Sequence, residues 1–209
     1  MSVLDRIAYF QNRRDEAPNQ ALAKELAEKK DKAGIREIAK NLWNDNPEIQ
    51  SDCVKVLYEV GALEPRLIAA YSADFLKLLS SQQNRLVWGG MTALAAIAPV
   101  SAGKLFARWE DIRQATEAGS VITTDNGIQA LAAIAASGDA RRQAIFPFLL
   151  KHLATCRPKD VPQRAEKIAA AVDAGNRDAF VAGLQKRSPD LSAAQAARVK
   201  RVIKHLLVA

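Results

Sequence analysis

An apolar pattern that returns every 37 residues constrains this chain more than any other feature. Leu57, Leu94, Leu131 and Ile168 hold one column, Val54, Met91, Ile128 and Ala165 a second, and Val60, Ile97, Ile134 and Ala171 a third. Each falls in a run rich in small residues, most clearly in residues 84–100, NRLVWGGMTALAAIAPV. A period of this length marks stacked helical hairpins, in which one unit cannot bury its apolar face alone and buries it against its neighbours. The turn residues Ser101, Gly138 and Gly175 keep the same register. The expected fold is all-α, an α-α superhelix of antiparallel helix pairs.

Composition agrees. Apolar residues make up 49% of the chain but aromatic residues only 6%, which suits helices packed through small side chains. Helix formers dominate, and the β-branched and aromatic clusters of strands are missing. Repeat units touch only their neighbours, so 209 residues are expected to form one array. Its parts would be an N-terminal cap helix in 1–18, about five hairpins in 19–187 and a C-terminal cap helix in 188–209.

Local signals place the helix ends. Ser2 is expected to cap a first helix with Val3, Leu4, Ile7 and Phe10 on one side. Asp45-Asn46-Pro47 reads as a helix start, since Asp or Asn accepts from a free backbone N–H and proline is harmless in the first turn. Pro99 is expected to stop one helix and Ser101 to cap the next, while Pro147 predicts a kink or a late start. In the second helices, Ile38, Phe75, Ile112 and Leu149 form a core column, and Ile35, Ser72, Trp109 and Phe146 another. Lys186 breaks the pattern in the fifth unit, where Phe180 and Leu184 are expected to pack instead.

Paired amphipathic helices of this length, with RLVWGGMTALAAIA similar to the aliphatic first helix of a HEAT unit, resemble the HEAT-repeat (armadillo-like) superfamily over about residues 19–187. The resemblance implies a right-handed superhelix whose second helices line a concave surface that holds partners. It implies no catalytic residues, because such units are defined by an apolar pattern. The arginine often found early in a unit's second helix is not repeated here in a regular column.

Chemistry has few footholds. The iron-dependent hydroxylases among HEAT-like proteins use repeated His-Glu pairs, whereas the two histidines here, His152 and His205, have no adjacent acid. Neither a metal nor a cofactor is therefore expected. Gly89-Gly90 sits in a helix pattern and reads as close packing, not as a phosphate loop. Cys53 and Cys156 are too far apart for a metal knuckle or redox motif, and a free pair points to a reducing compartment such as the cytoplasm. Cys53 shares its column with Gly90 and Gly127, so it is expected to be a small buried residue between close helices. No stretch reads as a signal peptide, and the most apolar run, residues 91–100, is about half of what a bilayer requires. A soluble protein without a membrane partner is expected.

Binding residues are easier to nominate. Lys40, Lys77, Gln114 and Lys151 share one repeat position on the second helices and would form a basic stripe. Glu37, Asp74 and Asp111 stand three residues earlier, within reach of ion pairs. At Lys151 the acid is replaced by Phe148, and His152 adjoins it. Trp88 aligns with positions that look exposed and is a candidate partner anchor. The net charge of +7 is concentrated towards the C-terminus, where Arg198, Lys200, Arg201 and Lys204 are candidate anion-binding residues on the polar side of a capping helix.

These features support a non-enzymatic scaffold for a protein or peptide partner. A nucleic-acid-binding protein resembling the HEAT-like DNA-repair glycosylases is the alternative, with Trp109, Asp111, Arg108 and Arg113 as a conceivable groove. A lyase or chaperone resembling the HEAT-like bilin lyases has no residue evidence.

Overall fold

The computed structural model describes residues 2–208, apart from the side chain of Val208. The outermost positions of the expected array, 1 and 209, lie outside the described residues. No strand occurs among those described. The α-helices are α1 (Ala17–Glu28), α2 (Lys32–Lys40), α3 (Pro47–Leu63), α4 (Ser72–Leu78), α5 (Asn84–Phe106), α6 (Trp109–Ala118), α7 (Val121–Ala136), α8 (Asp139–Thr155), α9 (Val161–Ile168), α10 (Arg177–Arg187) and α11 (Ala193–Val208). They group into two compact units, Met1–Gly127 and Ile128–Ala209, with α7 contributing residues to both.

All twelve residues of the three first-helix columns are buried. The second-helix column Ile38, Phe75, Ile112 and Leu149 is buried as well. Burial of each large side chain here is worth roughly 1.5–3 kcal/mol. In the first unit, α3 packs on α1 and on α5, and α4 packs on α5. In the second, α10 packs on α8 and α11 on α9. The polar start at Asn46 works as the sequence suggests, its side chain accepting from the Glu48 N–H at 2.8 Å; Asp31, not singled out from the sequence, accepts from Ala33 and Gly34 at the head of α2.

Several local expectations are corrected. The segment before Pro18 is not an α-helix but a single 3-10 turn, Leu4–Arg6, followed by tight turns through Asn12, whose φ is 52°. The Ala8 N–H goes to the Asn19 side chain at 2.9 Å and the Tyr9 N–H to Asp52 at 2.8 Å, so side chains of α1 and α3 take donors that an α-helix would use internally. Ile7 is buried, but Phe10, expected beside it, is 48% exposed. Pro99 lies inside α5, and the break falls at Ser101, with φ −132° and ψ 17°. Pro147 sits within α8 without ending it, because it and Gln143, whose carbonyl loses its partner, both face solvent.

Trp109 is half-buried instead of core. It opens α6 one residue past non-helical Arg108, so no preceding turn of its own helix covers it. In the fifth hairpin Phe180 and Leu184 are buried as expected. Arg187 adds what the apolar pattern could not show: it donates to the carbonyls of Leu153 at 2.7 Å and Cys156 at 2.8 Å, closing the end of α8. On α11, Val199 and Leu206 are buried, whereas Leu207 is 62% exposed.

By length and composition α5 could cross a bilayer, since Leu86, Val87, Leu105 and Phe106 extend the run at 91–100. This corrects the estimate of half a span. Its apolar side chains are mostly buried inside the protein, as in the core helix of a repeat array.

The column Cys53, Gly90, Gly127 behaves as a line of close approach. A Cβ at Gly90 would lie 3.0 Å from the Phe75 carbonyl oxygen and 2.9 Å from the Leu78 Cβ. At Gly127 it would lie 1.9 Å from the Thr116 hydroxyl oxygen and 2.9 Å from its Cβ. Cys53 is fully buried, and desolvation, aided by the carboxylates of Asp52 and Glu37, pushes its thiol up to about 12. It stays protonated and inert.

Two outcomes are expected. Gly127→Ala should lower stability by about 1–3 kcal/mol despite alanine's higher helix propensity, because α6 and α7 must part. Gly183→Ala, whose nearest obstacle is the mobile tip of Leu150 at 3.2 Å, should change stability by no more than about 0.5 kcal/mol. Urea denaturation of both variants measures the difference. The second outcome concerns Glu25, which binds Arg6 of the N-terminal turn at 2.5 Å and Lys29 at 2.8 Å. The Arg6 hydrogen bond first, then that of Lys29, lowers its carboxyl from 4.5 to about 2. The folded value lies below the unfolded one, so this stabilisation is complete above about pH 4.5 and is lost as pH falls towards about 2. Urea midpoints of the native protein should therefore drop more between about pH 5.5 and pH 3 than those of Glu25→Gln.

Candidate functional site

Within the first unit, the second helices α4 and α6 frame an open groove of ≈ 790 Å³. The lining of its floor includes the apolar Ala73, Leu76, Leu79, Ala115 and Ala118, with Ser72 and Ser80 among them. Lys77 on α4, Lys104 on α5, Arg108 and Gln114 provide polar edges. The backbone break at Ser101 governs this arrangement, because Lys104 follows it and Arg108 lies in the second non-helical step before α6.

Beside the groove, Trp43 is 42% exposed in the 3-10 turn that ends α2. Its indole N–H donates to Asp74 at 3.1 Å, and the Lys77 ammonium lies 4.1 Å from its ring centroid. Such a cation–π contact at an exposed site is worth about 0.5–1 kcal/mol and holds both side chains in place. Trp43 was not among the residues nominated from the sequence. Its lead over Lys77 of about one repeat, and the aromatic type, were the available signals.

The nominated stripe is thus realised in part. Lys77 and Gln114 line one groove, and Lys40 is exposed at the end of α2, one turn before Trp43. The expected ion pairs along each helix are replaced by other bonds. Glu37 accepts from the Ser2 hydroxyl and the Val3 N–H, Asp74 from Trp43, and Asp111 from Arg108. Each acid finds a partner beyond its own helix turn, or a guanidinium that reaches it with better geometry. Arg113 is held by Glu110 and Glu117, so it is not an edge of the groove with Arg108.

Lys151, Phe148 and His152 belong to the second unit. Lys151 is exposed, and the rings of Phe148 and His152 lie 6.2 Å apart, both half-buried. Arg198 makes a two-pronged ion pair with Glu166 of α9, at 2.6 and 3.0 Å, which pins α11 to α9; Lys200, Arg201 and Lys204 remain exposed. Among the described residues no group of three or more His, Cys, Asp or Glu is arranged to hold a metal ion.

No family model matches the sequence, and no curated protein is similar to it. Solved structures do match. A designed armadillo repeat protein in complex with the peptide (KR)4 aligns with a TM-score of 0.71 and 14% identity, over 90% of this chain and 86% of that one. An engineered protein aligns with a TM-score of 0.67 and 20% identity, over 100% and 98%. Kap121p aligns with a TM-score of 0.63 and 15% identity, over 92% of this chain and 21% of Kap121p. The protein has an armadillo/HEAT-like repeat fold, an all-α solenoid.

The first helices carry a separate polar cluster that the sequence did not disclose. Lys55 of α3 is only 5% exposed, and its ammonium binds Glu16 at 2.8 Å and Glu59 at 2.6 Å. It also lies 4.9 Å from the Tyr58 ring centroid. Burial works against its charge, but bonds to Glu16, Glu59 and Tyr58 outweigh that and raise its pKa above the ordinary lysine value. Glu16 also receives Arg85 of α5 at 3.1 Å, which joins the segment before α1 to α3 and α5. Trp88, nominated as an exposed anchor, is half-buried here with its ring 5.8 Å from Tyr58. Its packing is explained by this cluster. Lys55→Met should keep the packed stem but strand two carboxylates, lowering stability by about 1–3 kcal/mol. Lys24→Met, at an exposed pair 3.8 Å from Glu28, should cost no more than about 0.5 kcal/mol in the same urea titration.

Proposed function

We propose that this protein is a non-enzymatic binding scaffold that holds a peptide or an extended protein segment on its second helices, in the groove between α4 and α6. The observation that carries this reading is the groove itself: a mainly apolar floor framed by a few fixed polar side chains, at a size typical of recognition sites. Trp43, held by Asp74 and Lys77 at its edge, supplies an aromatic contact of the kind that anchors partners. Two designed armadillo repeat proteins of similar fold lend support, one in complex with a peptide and the other made for modular peptide recognition. Repeat architectures suit the role because each unit adds surface without a new core.

The test is a peptide selection from a random displayed library, followed by binding assays on two variants that fill the groove. Ala73→Trp and Ala118→Trp substitute exposed positions of its floor, and circular dichroism should show an unchanged helical fold. Selected peptides should bind the native protein and lose roughly tenfold or more in affinity with either variant. A selection that yields no peptide sensitive to both substitutions would overturn the reading.

A further inference from the structure

We infer that the segment held in this groove is acidic, with carboxylates alternating with apolar side chains. The inference rests on the reading that the groove holds a peptide, and concerns which one. Three cations line it, Lys77, Lys104 and Arg108, against one carboxylate, Asp111, leaving a balance of +2. The acids nearby are already engaged. Asp111 takes Arg108, Asp74 takes the Trp43 indole, and Glu110 and Glu117 share Arg113. Lys77 and Lys104 make no ion pair among the described residues; Lys77 rests on the Trp43 ring, whose N–H holds the carboxylate of Asp74, so Lys104 is the cation a ligand meets first and Lys77 the second.

The floor narrows the chemistry further. Between the cations lie Leu76, Leu79, Ala73, Ala115 and Ala118, with Ser72 and Ser80 beside them, and the apolar members offer burial to apolar side chains that a sugar or phosphate would not use. A peptide of alternating character, extended along the groove, would set carboxylates against Lys77 and Lys104 and its other side chains onto this floor. The lining repels a basic ligand such as the (KR)4 peptide bound by the designed armadillo repeat protein of similar fold. The ligand expected here is therefore opposite in charge to that neighbour's peptide, although the folds align.

Fluorescence anisotropy decides the matter with three labelled peptides of alternating charged or polar residue and leucine, carrying glutamate, glutamine or lysine. At low ionic strength the glutamate peptide should bind roughly tenfold or more tightly than the glutamine peptide, and added salt should weaken it. Lys77→Glu with Lys104→Glu should abolish that preference, and Lys77→Gln with Lys104→Gln should reduce it; circular dichroism confirms the fold of both. If the glutamine or lysine peptide binds as well as the glutamate one and still loses affinity in Ala73→Trp, the acidic assignment is overturned while the groove remains a peptide site. If none of the three responds to Ala73→Trp, the groove reading itself falls. If mixed-sequence single-stranded DNA displaces the glutamate peptide and its own binding is lost on both lysine substitutions and on Ala73→Trp, the partner is a nucleic acid and the peptide proposal is overturned.

Discussion

The missing side chains at Gly90 and Gly127 let neighbouring helices of the first unit approach closely. At Gly127 the Thr116 side chain of α6 fills the place where a Cβ would stand, so it packs directly on the backbone of α7. At Gly90 the obstacles include the carbonyl of Phe75, so there the backbones of α4 and α5 themselves come close. Only then do the columns led by Leu57 and Leu94 reach their neighbours and become fully buried. Packing density in such an interior leaves little room for even one added carbon. The spacing of the second helices, and with it the width of the groove they frame, follows from that approach.

Polar contacts complete what apolar columns leave open. Asn19 is buried, and its amide accepts from Ala8 while donating to Asp52 at 2.8 Å. Glu16 gathers Lys55 and Arg85 from two helices. Arg187 satisfies the last carbonyls of α8 in the second unit. In each case a polar group out of water is matched by a specific partner, the condition under which burial does not become a penalty.

The fold was legible because it is periodic. Any residue of the three first-helix columns predicts the burial of its fellows, and the Asn46 cap and the small buried residue at Cys53 follow from local rules. What escaped is aperiodic or set by tertiary geometry. The 3-10 turn at Leu4–Arg6 forms because distant side chains claim its N–H groups. Trp109 leaves its column because the chain breaks before it, and Lys55 is buried although a lysine in an amphipathic helix normally faces water. Of the candidate site, Lys77 and Gln114 were visible through the repeat register. Arg108 was named from the sequence only as part of a different, nucleic-acid groove, and Trp43 and Lys104 were not nominated, since they follow no regular column of the repeat.

The joint at Ser101 has a consequence for how this surface can change over time. Upstream of it, α5 is committed to the core through Leu86, Met91, Leu94 and Ile97; downstream, Lys104 stands at the groove. One helix thus serves two masters with a single irregular residue between them. Downstream of the bend the roles alternate residue by residue, since Ala102 and Leu105 are buried while Lys104 is exposed at the groove. A change at exposed Lys104 alters the lining of the groove while the adjacent Leu105 keeps its contact with the core, so one short turn can vary on its outside without varying within.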